Sequence, residues 1–587
     1  MSQSTRTSAA GRRNARAAAA APDESGVFSH RQILTILSGL MLGMFLAALD
    51  QTVVSTAIRT IADDLQGYDL QAWATTAFLI TSTIATPLYG KLSDIYGRRG
   101  FYLFAIVVFV VGSALCGIAN SMYELAAFRA IQGIGAGGLM ALALAIIADI
   151  VPPRERSKYQ GYFMAVWGTS SVLGPVIGGF LAGQSSILGL DGWRWIFWIN
   201  VPLGIFAVIV VARVLHLPHQ RRDHRIDWPG ALALVVALVP LLIVAEQGRE
   251  WGWSSGRALL CYVVGTVGLI SFVLAERAYK DDAILPLRMF ANRTFSVSAV
   301  SSIVLGAGMF GGILLLPQYL QVVHGSSPTV AGLQMLPLVL GIMTGAMGSG
   351  LTIARTGKYK VFPLVGVVFI VVALASLSFV VEADTSVWTL VPFMVLLGLG
   401  LGFNMQPVIL AVQNAVSPRE IGVATSSVTF FRQMGGTIGT AAFLSIMFTR
   451  LGTEIPEQFR QAAQASPEAA QQAMALQQAG ADSVLADTRA IDAFPALVMP
   501  FRVGFSNTLD LVFLVAAAVV AIGFFVLWFL PQLELRTQSG IQAQQAAAAQ
   551  APEAGERKPQ DEVAHAAGAS APTSTAPPAG SAEDPRG

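Results

Sequence analysis

The chain has 587 residues and a formal net charge of +2; 54% of its residues are hydrophobic and only 12% are charged. A composition this apolar excludes an ordinary soluble domain, and so small a net charge gives no basis for nucleic-acid binding. The length divides instead into membrane-crossing segments of about 20 residues each, so the sequence reads as an all-α polytopic membrane protein.

Residues 1–29 are rich in Ala and Arg and lack an apolar signal core, which predicts a disordered cytoplasmic N-terminus ahead of an uncleaved first span. Fourteen apolar segments follow, centred near Leu42, Ser82, Val108, Leu139, Val172, Phe206, Val236, Gly265, Gly306, Leu340, Ile370, Val395, Thr437 and Val519. Basic residues recur in alternate connections: Lys91/Arg98/Arg99, Arg154/Arg156/Lys158, Arg221/Arg222/Arg225, Lys280/Arg288/Arg293 and Arg355/Lys358/Lys360. The positive-inside rule places these connections and both termini in the cytoplasm. The predicted plan is a six-helix half over 30–215, two inserted helices over 216–294, and a second six-helix half over 295–536. An extracytoplasmic loop at 449–506 interrupts that second half, and a disordered cytoplasmic tail occupies 537–587. Ser466-Pro467-Glu468 marks a helix start within the loop, which predicts short amphipathic helices there, either as a cap on the outer rim or as a docking site for an envelope partner.

Asp50 is the only charged residue between Ile33 and Ile58. A carboxylate in mid-membrane costs roughly 2.5 to 3.5 kcal/mol on insertion scales and usually faces a water-filled path or a partner. Arg129 lies at a similar expected depth in the fourth span, counting 1.5 Å per residue from the outer ends. The two read either as a static ion pair or as a proton site, since burial favours the neutral acid while a nearby cation favours the carboxylate. Gln318, Gln321, Asn404 and Gln406, with Gln334, are candidate cavity-lining or interhelical amides. Arg432, inside the thirteenth span, has no identifiable partner in the sequence, and Asp510 and Glu246 fall near outer ends.

Two strings repeat. GKLSDIYGRR (Gly90–Arg99) follows the second span as GLTIARTGKY (Gly350–Tyr359) follows the tenth, and GPVIGG (Gly174–Gly179) in the fifth corresponds to GGTIGT (Gly435–Thr440) in the thirteenth. This is the parallel-repeat plan of a secondary transporter. Gly90, Gly97, Arg98 and Arg99 read as a tight basic turn, while Asp94 stands where it could meet a helix N-terminus or an arginine. Ala354 replaces that aspartate in the second copy. Gly168, Gly174, Gly178 and Gly179 surround Pro175 at spacings that permit close helix approach and a kink.

GKLSDIYGRR resembles the inner-loop signature of the major facilitator superfamily, FRAIQGIGAG (Phe128–Gly137) its fourth-helix motif, and WGTSSVLGPVIGGF (Trp167–Phe180) its fifth-helix antiporter motif. LDQTVVSTAI, WRWIFWINVPLG and LPQYLQVVHGSSPTVAGLQMLP are similar to the fourteen-helix drug:proton antiporter subfamily. The resemblance covers about residues 33–531. It implies the major facilitator fold, a latch of Asp94 with Arg98/Arg99 and Asp149 that holds the two halves in the outward-facing state, and transport in the export direction.

No GxxxxGK[ST] phosphate loop occurs, which speaks against direct ATP coupling. His216, His219 and His224 read as solvated charge rather than a metal site, Cys116 and Cys261 as buried small residues, and no catalytic constellation stands out. The expectation is a non-enzymatic, proton-coupled exporter of neutral or singly charged amphipathic molecules, with the proton gradient as energy source and no cofactor or metal. Asp50 would act in a central cavity shared by spans one, four, nine and twelve. A lipid or metabolite exporter, a proton-coupled importer, and a non-transporting scaffold or sensor are the alternatives.

Overall fold

The computed structural model describes residues 28–67, 70–216, 226–479, 491, 493–543 and 545. The chain divides into residues 1–544 and 545–587, and the second unit lies almost wholly outside the described residues. So do residues 1–27 of the predicted N-terminal tail, His219, His224 and Arg221/Arg222/Arg225, and residues 480–490 of the predicted outer loop.

Seventeen α-helices make up the described bundle: α1 His30–Asp64, α2 Gln71–Tyr96, α3 Arg98–Cys116, α4 Met122–Ile150, α5 Pro153–Ala182, α6 Arg194–Trp198, α7 Asn200–Val214, α8 Trp228–Trp251, α9 Gly256–Tyr279, α10 Arg293–Val322, α11 Pro328–Gln334, α12 Leu336–Thr356, α13 Val361–Val380, α14 Val387–Ala415, α15 Ile421–Ala465, α16 Pro467–Ala479 and α17 Pro495–Trp528. Among the described residues, twelve helical stretches are long and apolar enough to cross a membrane. The long helices α2 and α15 fall outside that set; their central stretches carry many Thr, Ser and Gly residues.

Local chemistry starts and stops these helices. Ser29 and Gln32 form a capping box at α1, Ser121 caps α4 and Asp227 caps α8 through the Gly230 amide, satisfying amides that have no intrahelical partner. Gly97 adopts φ 103 between α2 and α3, a conformation that side chains resist.

The repeat seen in the sequence is a repeat in packing. In the first set α2 packs on α4, α3 on α4, α1 on α5 and α3 on α7; in the second α12 packs on α14, α13 on α14, α10 on α15 and α13 on α17. Glycines carry the corresponding contacts. A Cβ on Gly178 of α5 would sit 2.7 Å from the Val53 carbonyl of α1, and one on Gly439 of α15 would sit 2.5 Å from the Cα of Ala307 on α10. The hairpin α8–α9 rests against α2 and α15, one helix from each half.

Three expectations need correction. α15 does not end near Thr449 but runs on to Ala465, and α17 begins at Pro495, so half of 449–506 extends the flanking helices. The extensions pack together: Ile455, Leu476, Leu497 and Phe501 are buried, and Gln472 accepts from the Ala496 amide at 2.9 Å. Residues 537–543, predicted to be disordered, are folded, with Ser539 and Ile541 buried. Gly90 is not part of a turn. It lies within α2, where it admits Ser426 and the Gly422 carbonyl of α15.

Candidate functional site

The Asp50 side chain of α1 is sealed inside the first half of the bundle, 1% exposed. Its Oδ2 accepts from Arg129 Nη1 of α4 at 2.5 Å, and its Oδ1 accepts from Gln132 Nε2 of α4 and Asn200 Nδ2 of α7, both at 2.8 Å. Arg129 also donates to the Gln132 side-chain carbonyl at 2.8 Å and the Ala74 carbonyl at 3.3 Å, and its guanidinium lies 4.1 Å from the centre of the Phe78 ring. Asn200 donates on to Ser113 Oγ, which donates to the Phe197 carbonyl. A buried ion pair offsets its desolvation only when its spare lone pairs and protons are satisfied, and here three donors from two helices do that for the carboxylate. One acceptor is left over: Asn200 Oδ1 is buried without a partner.

Depth counted along the helices brings Asp50 and Arg129 together, and the structure does too. It does not place them in a central cavity. The three donors to the carboxylate belong to α4 and α7 and the further partners of the network to α2, α3 and α6, all in the first half, and an apolar cluster of Cys116, Met122, Leu125, Trp193 and Phe197 packs on the same outer part of this half. Gln132 and Asn200 were not assigned from sequence, although both are polar residues inside apolar strings, which was the available signal.

A second ionic cluster closes the end of the bundle where the Lys91–Arg99, Arg154–Lys158 and Arg355–Lys360 connections meet, the basic end. Arg98 pairs with Asp94 and, at 2.8 Å, with Asp149 of α4. Asp94 Oδ2 in turn accepts from the Val423 amide in the first turn of α15, at 3.0 Å. An anion at a helix N-terminus satisfies an otherwise unpaired amide and meets the positive end of the helix dipole. Gly422 has to be glycine-sized here, because a Cβ would run into both Asp94 and Arg98. Arg99 stands apart from this cluster and donates to the Ala212 carbonyl of α7 at 2.6 Å. The folded start of the tail joins the same end: Asn414 of α14 bonds the Glu534 carbonyl and the Arg536 amide, each at 2.9 Å, and Gly540 lies against Asp149.

The chain matches the Major Facilitator Superfamily over residues 40–440. It belongs to that superfamily. It is 36% identical to a Bacillus subtilis protein named multidrug transporter protein MdtP over 430 residues, 73% of this chain and 77% of that one. It is 37% identical to the multidrug resistance protein 3 of the same organism, over 70% of this chain and 78% of that one. Among solved structures, the proton:xylose symporter XylE aligns over 88% of this chain and 100% of its own with a TM-score of 0.55 at 16% identity, which shows a shared fold. This major facilitator is accordingly a multi-pass cell-membrane transporter of small molecules and not an enzyme.

In this transporter the fifth-helix motif has two working faces. Gly174 and Gly178 take α1 at Thr52 and Val53, and Thr52 Oγ1 donates to the Ser170 carbonyl at 3.0 Å. Gly168, Pro175 and Gly179 meet Val339, Gly332 and Thr329 of the other half. α5 runs unbroken through Pro175. The motif therefore links the segment just beyond Asp50 to the second half of the transporter.

The four second-half amides do not converge. Asn404 donates to the Gly400 carbonyl of its own helix and fills the notch at Gly366 of α13, turned away from the bundle centre. Gln406 lies two turns from Gln413, which bonds the Leu144 carbonyl of α4 and Thr425 of α15, so Gln406 keeps the central face. Its Oε1 is buried without a partner, as is that of Gln318, whereas Gln321 is exposed. Gln334 accepts from Ser326. Among the described residues no cluster of His, Cys, Asp and Glu could hold a metal ion.

Proposed function

We propose that this transporter exports amphipathic small molecules in exchange for protons, with fourteen spans and both ends of the chain in the cytoplasm. α2 and α15 count as spans in this reading because each packs along helices that are themselves apolar enough to cross, α2 on α4 and α15 on α10. The basic end is then cytoplasmic by the positive-inside rule, and the Asp94–Arg98–Asp149 cluster with the α15 N-terminus is the closed cytoplasmic latch of an outward-facing state.

The observation that carries the proton reading is the Asp50 network. A carboxylate that accepts from three donors inside one half is ringed by N–H groups, so a proton arriving on it needs an acceptor. Asn200 can reverse: half a turn of its amide would present the unpartnered Oδ1 to an Asp50 hydroxyl. The change would reach the second half through Thr52, Val53 and α5. Proton site and substrate site are then distinct, coupled mechanically and not by competition for one carboxylate. Multidrug transport and multidrug resistance are what the names of the Bacillus relatives state, and the antiporter-like α5 motif supports the export direction.

Accumulation of a fluorescent amphiphile by cells producing the transporter tests this reading. Wild type should lower accumulation, a protonophore should abolish the difference, and Asp50→Asn should match cells without the transporter. Undiminished export by Asp50→Asn would refute it.

A further inference from the structure

Arg432 is the one cation placed deep in the second half by the sequence, eleven residues into α15. At 1.5 Å per residue that is about 16 Å from the basic end, near the middle of a hydrocarbon core of about 30 Å. It is half-buried, and its side chain makes no hydrogen bond or ion pair with any described residue. Such a group ordinarily faces the bundle interior and has a counter-charge.

The neighbours of Arg432 give its direction. Gln433 turns to α2, where Thr86 donates to it at 3.3 Å, and Gly435 and Gly439 turn to Ile303 and Ala307 of α10. Ile438 is 48% exposed and marks the outer face. At about 100° per residue Arg432 lies roughly 60° from Gly435 and about 120° from Ile438. It shares its row with Thr425, Thr429, Gly436 and Thr440. Thr425 accepts from Gln413 of α14 at 2.8 Å, and Thr440 Oγ1 is buried without a partner. The row faces inward between α10 and α14, close to the side of α14 that carries Gln406.

We propose that Arg432 holds the anionic head group of the exported molecule, so that the preferred substrates are monoanionic amphiphiles such as carboxylates and sulfonates. The inference rests on the export reading above and adds the substrate's charge. Asp50 and Arg129 neutralise one another in the first half, which leaves the guanidinium as the uncompensated charge of the inner face. Its planar fork matches a carboxylate or sulfonate bidentately, and Thr440 offers a hydroxyl to the body of the same ligand a little over two turns, about 12 Å, further out. A dication would meet only repulsion there. Exchange of one proton inward for one anion outward moves two charges, so the membrane potential drives anion export as well as the proton gradient.

The test uses the full-length transporter in energised proteoliposomes with three probes of one scaffold: dansylglycine (anion), dansylglycinamide (neutral) and dansylaminoethyl-trimethylammonium (cation). Wild type should favour dansylglycine over the cation. Arg432→Gln should lower kcat/KM for dansylglycine roughly tenfold or more, as loss of a charge-assisted hydrogen bond does, while dansylglycinamide transport changes little; Arg432→Lys should fall between. Unchanged dansylglycine transport in Arg432→Gln, or an equal loss for all three probes in both variants, would overturn the proposal and leave the export reading intact. Wild type moving none of the three would overturn both.

Discussion

Asp94 on the first half and the Val423 amide on the second are 3.0 Å apart, so one carboxylate both pairs with Arg98 and caps the N-terminus of α15. The interface between the halves at the basic end is thus secured by a helix terminus as well as by charge. Asp94→Asn keeps the shape, loses the charge and should weaken this closure; Gly422→Val should break it outright by driving a side chain into Asp94 and Arg98. Spin labels at exposed Lys158 and Lys358, one on each half, would report a longer interlabel distance in both variants. An unchanged distance distribution would remove the latch from the account.

The second clasp at this end should matter less. Arg288 bridges Asp281, at 3.0 Å, and Glu420, at 2.8 Å, but its side chain is 57% exposed, and solvent-exposed pairs contribute about 0 to 1 kcal/mol. Arg288→Ala should leave the same interlabel distance within its wild-type spread, in contrast to Gly422→Val.

Breaking the buried pair from one side should be expensive. Asp50→Leu strands the Arg129 guanidinium in an apolar interior, a change that typically costs about 3 to 5 kcal/mol. Asp50→Asn with Arg129→Gln removes both charges and keeps amides that can bond Gln132 and Asn200, so its thermal midpoint should return most of the way to wild type. Equal midpoints for the single and double variants would mean that the two residues do not act as a pair.

Asp227 gives the protein a pH dependence of known sign. It caps α8 through the Gly230 amide, its second oxygen is buried without a partner, and burial pushes its carboxyl above the usual range while the Gly230 hydrogen bond pulls it partly back. The folded state therefore binds this proton more tightly than the unfolded chain, and stability is lost as pH rises from about 4 through the raised value. Asp227→Asn keeps the side-chain carbonyl cap and should match wild type at low pH, then become the more stable of the two as pH rises. A difference in melting midpoint that is independent of pH would contradict this.

The Asp50–Arg129 pair was legible because depth along a helix is simple arithmetic, and the repeat was legible because glycine spacing dictates where helices approach. What lay beyond the sequence was direction around the helix axis. Asn404 and Gln406 are two residues apart, about 200° around an α-helix, so they cannot share a face. Only the notch at Gly366 shows which of them turns outward. The end of α15 was illegible for a different reason: beyond Thr449 its sequence is polar enough to read as loop, and packing with α16 and α17 keeps it helical. Asn200 was hidden because its importance depends on α7 lying against α1, which no local pattern states.

The central claim is that protonation of Asp50 is coupled to substrate movement, and proton release from everted membrane vesicles measures it most directly. Addition of dansylglycine or dansylglycinamide to vesicles carrying the wild-type transporter should release protons, and the folded double variant Asp50→Asn/Arg129→Gln should release none. Equal release from the two proteins would contradict the account.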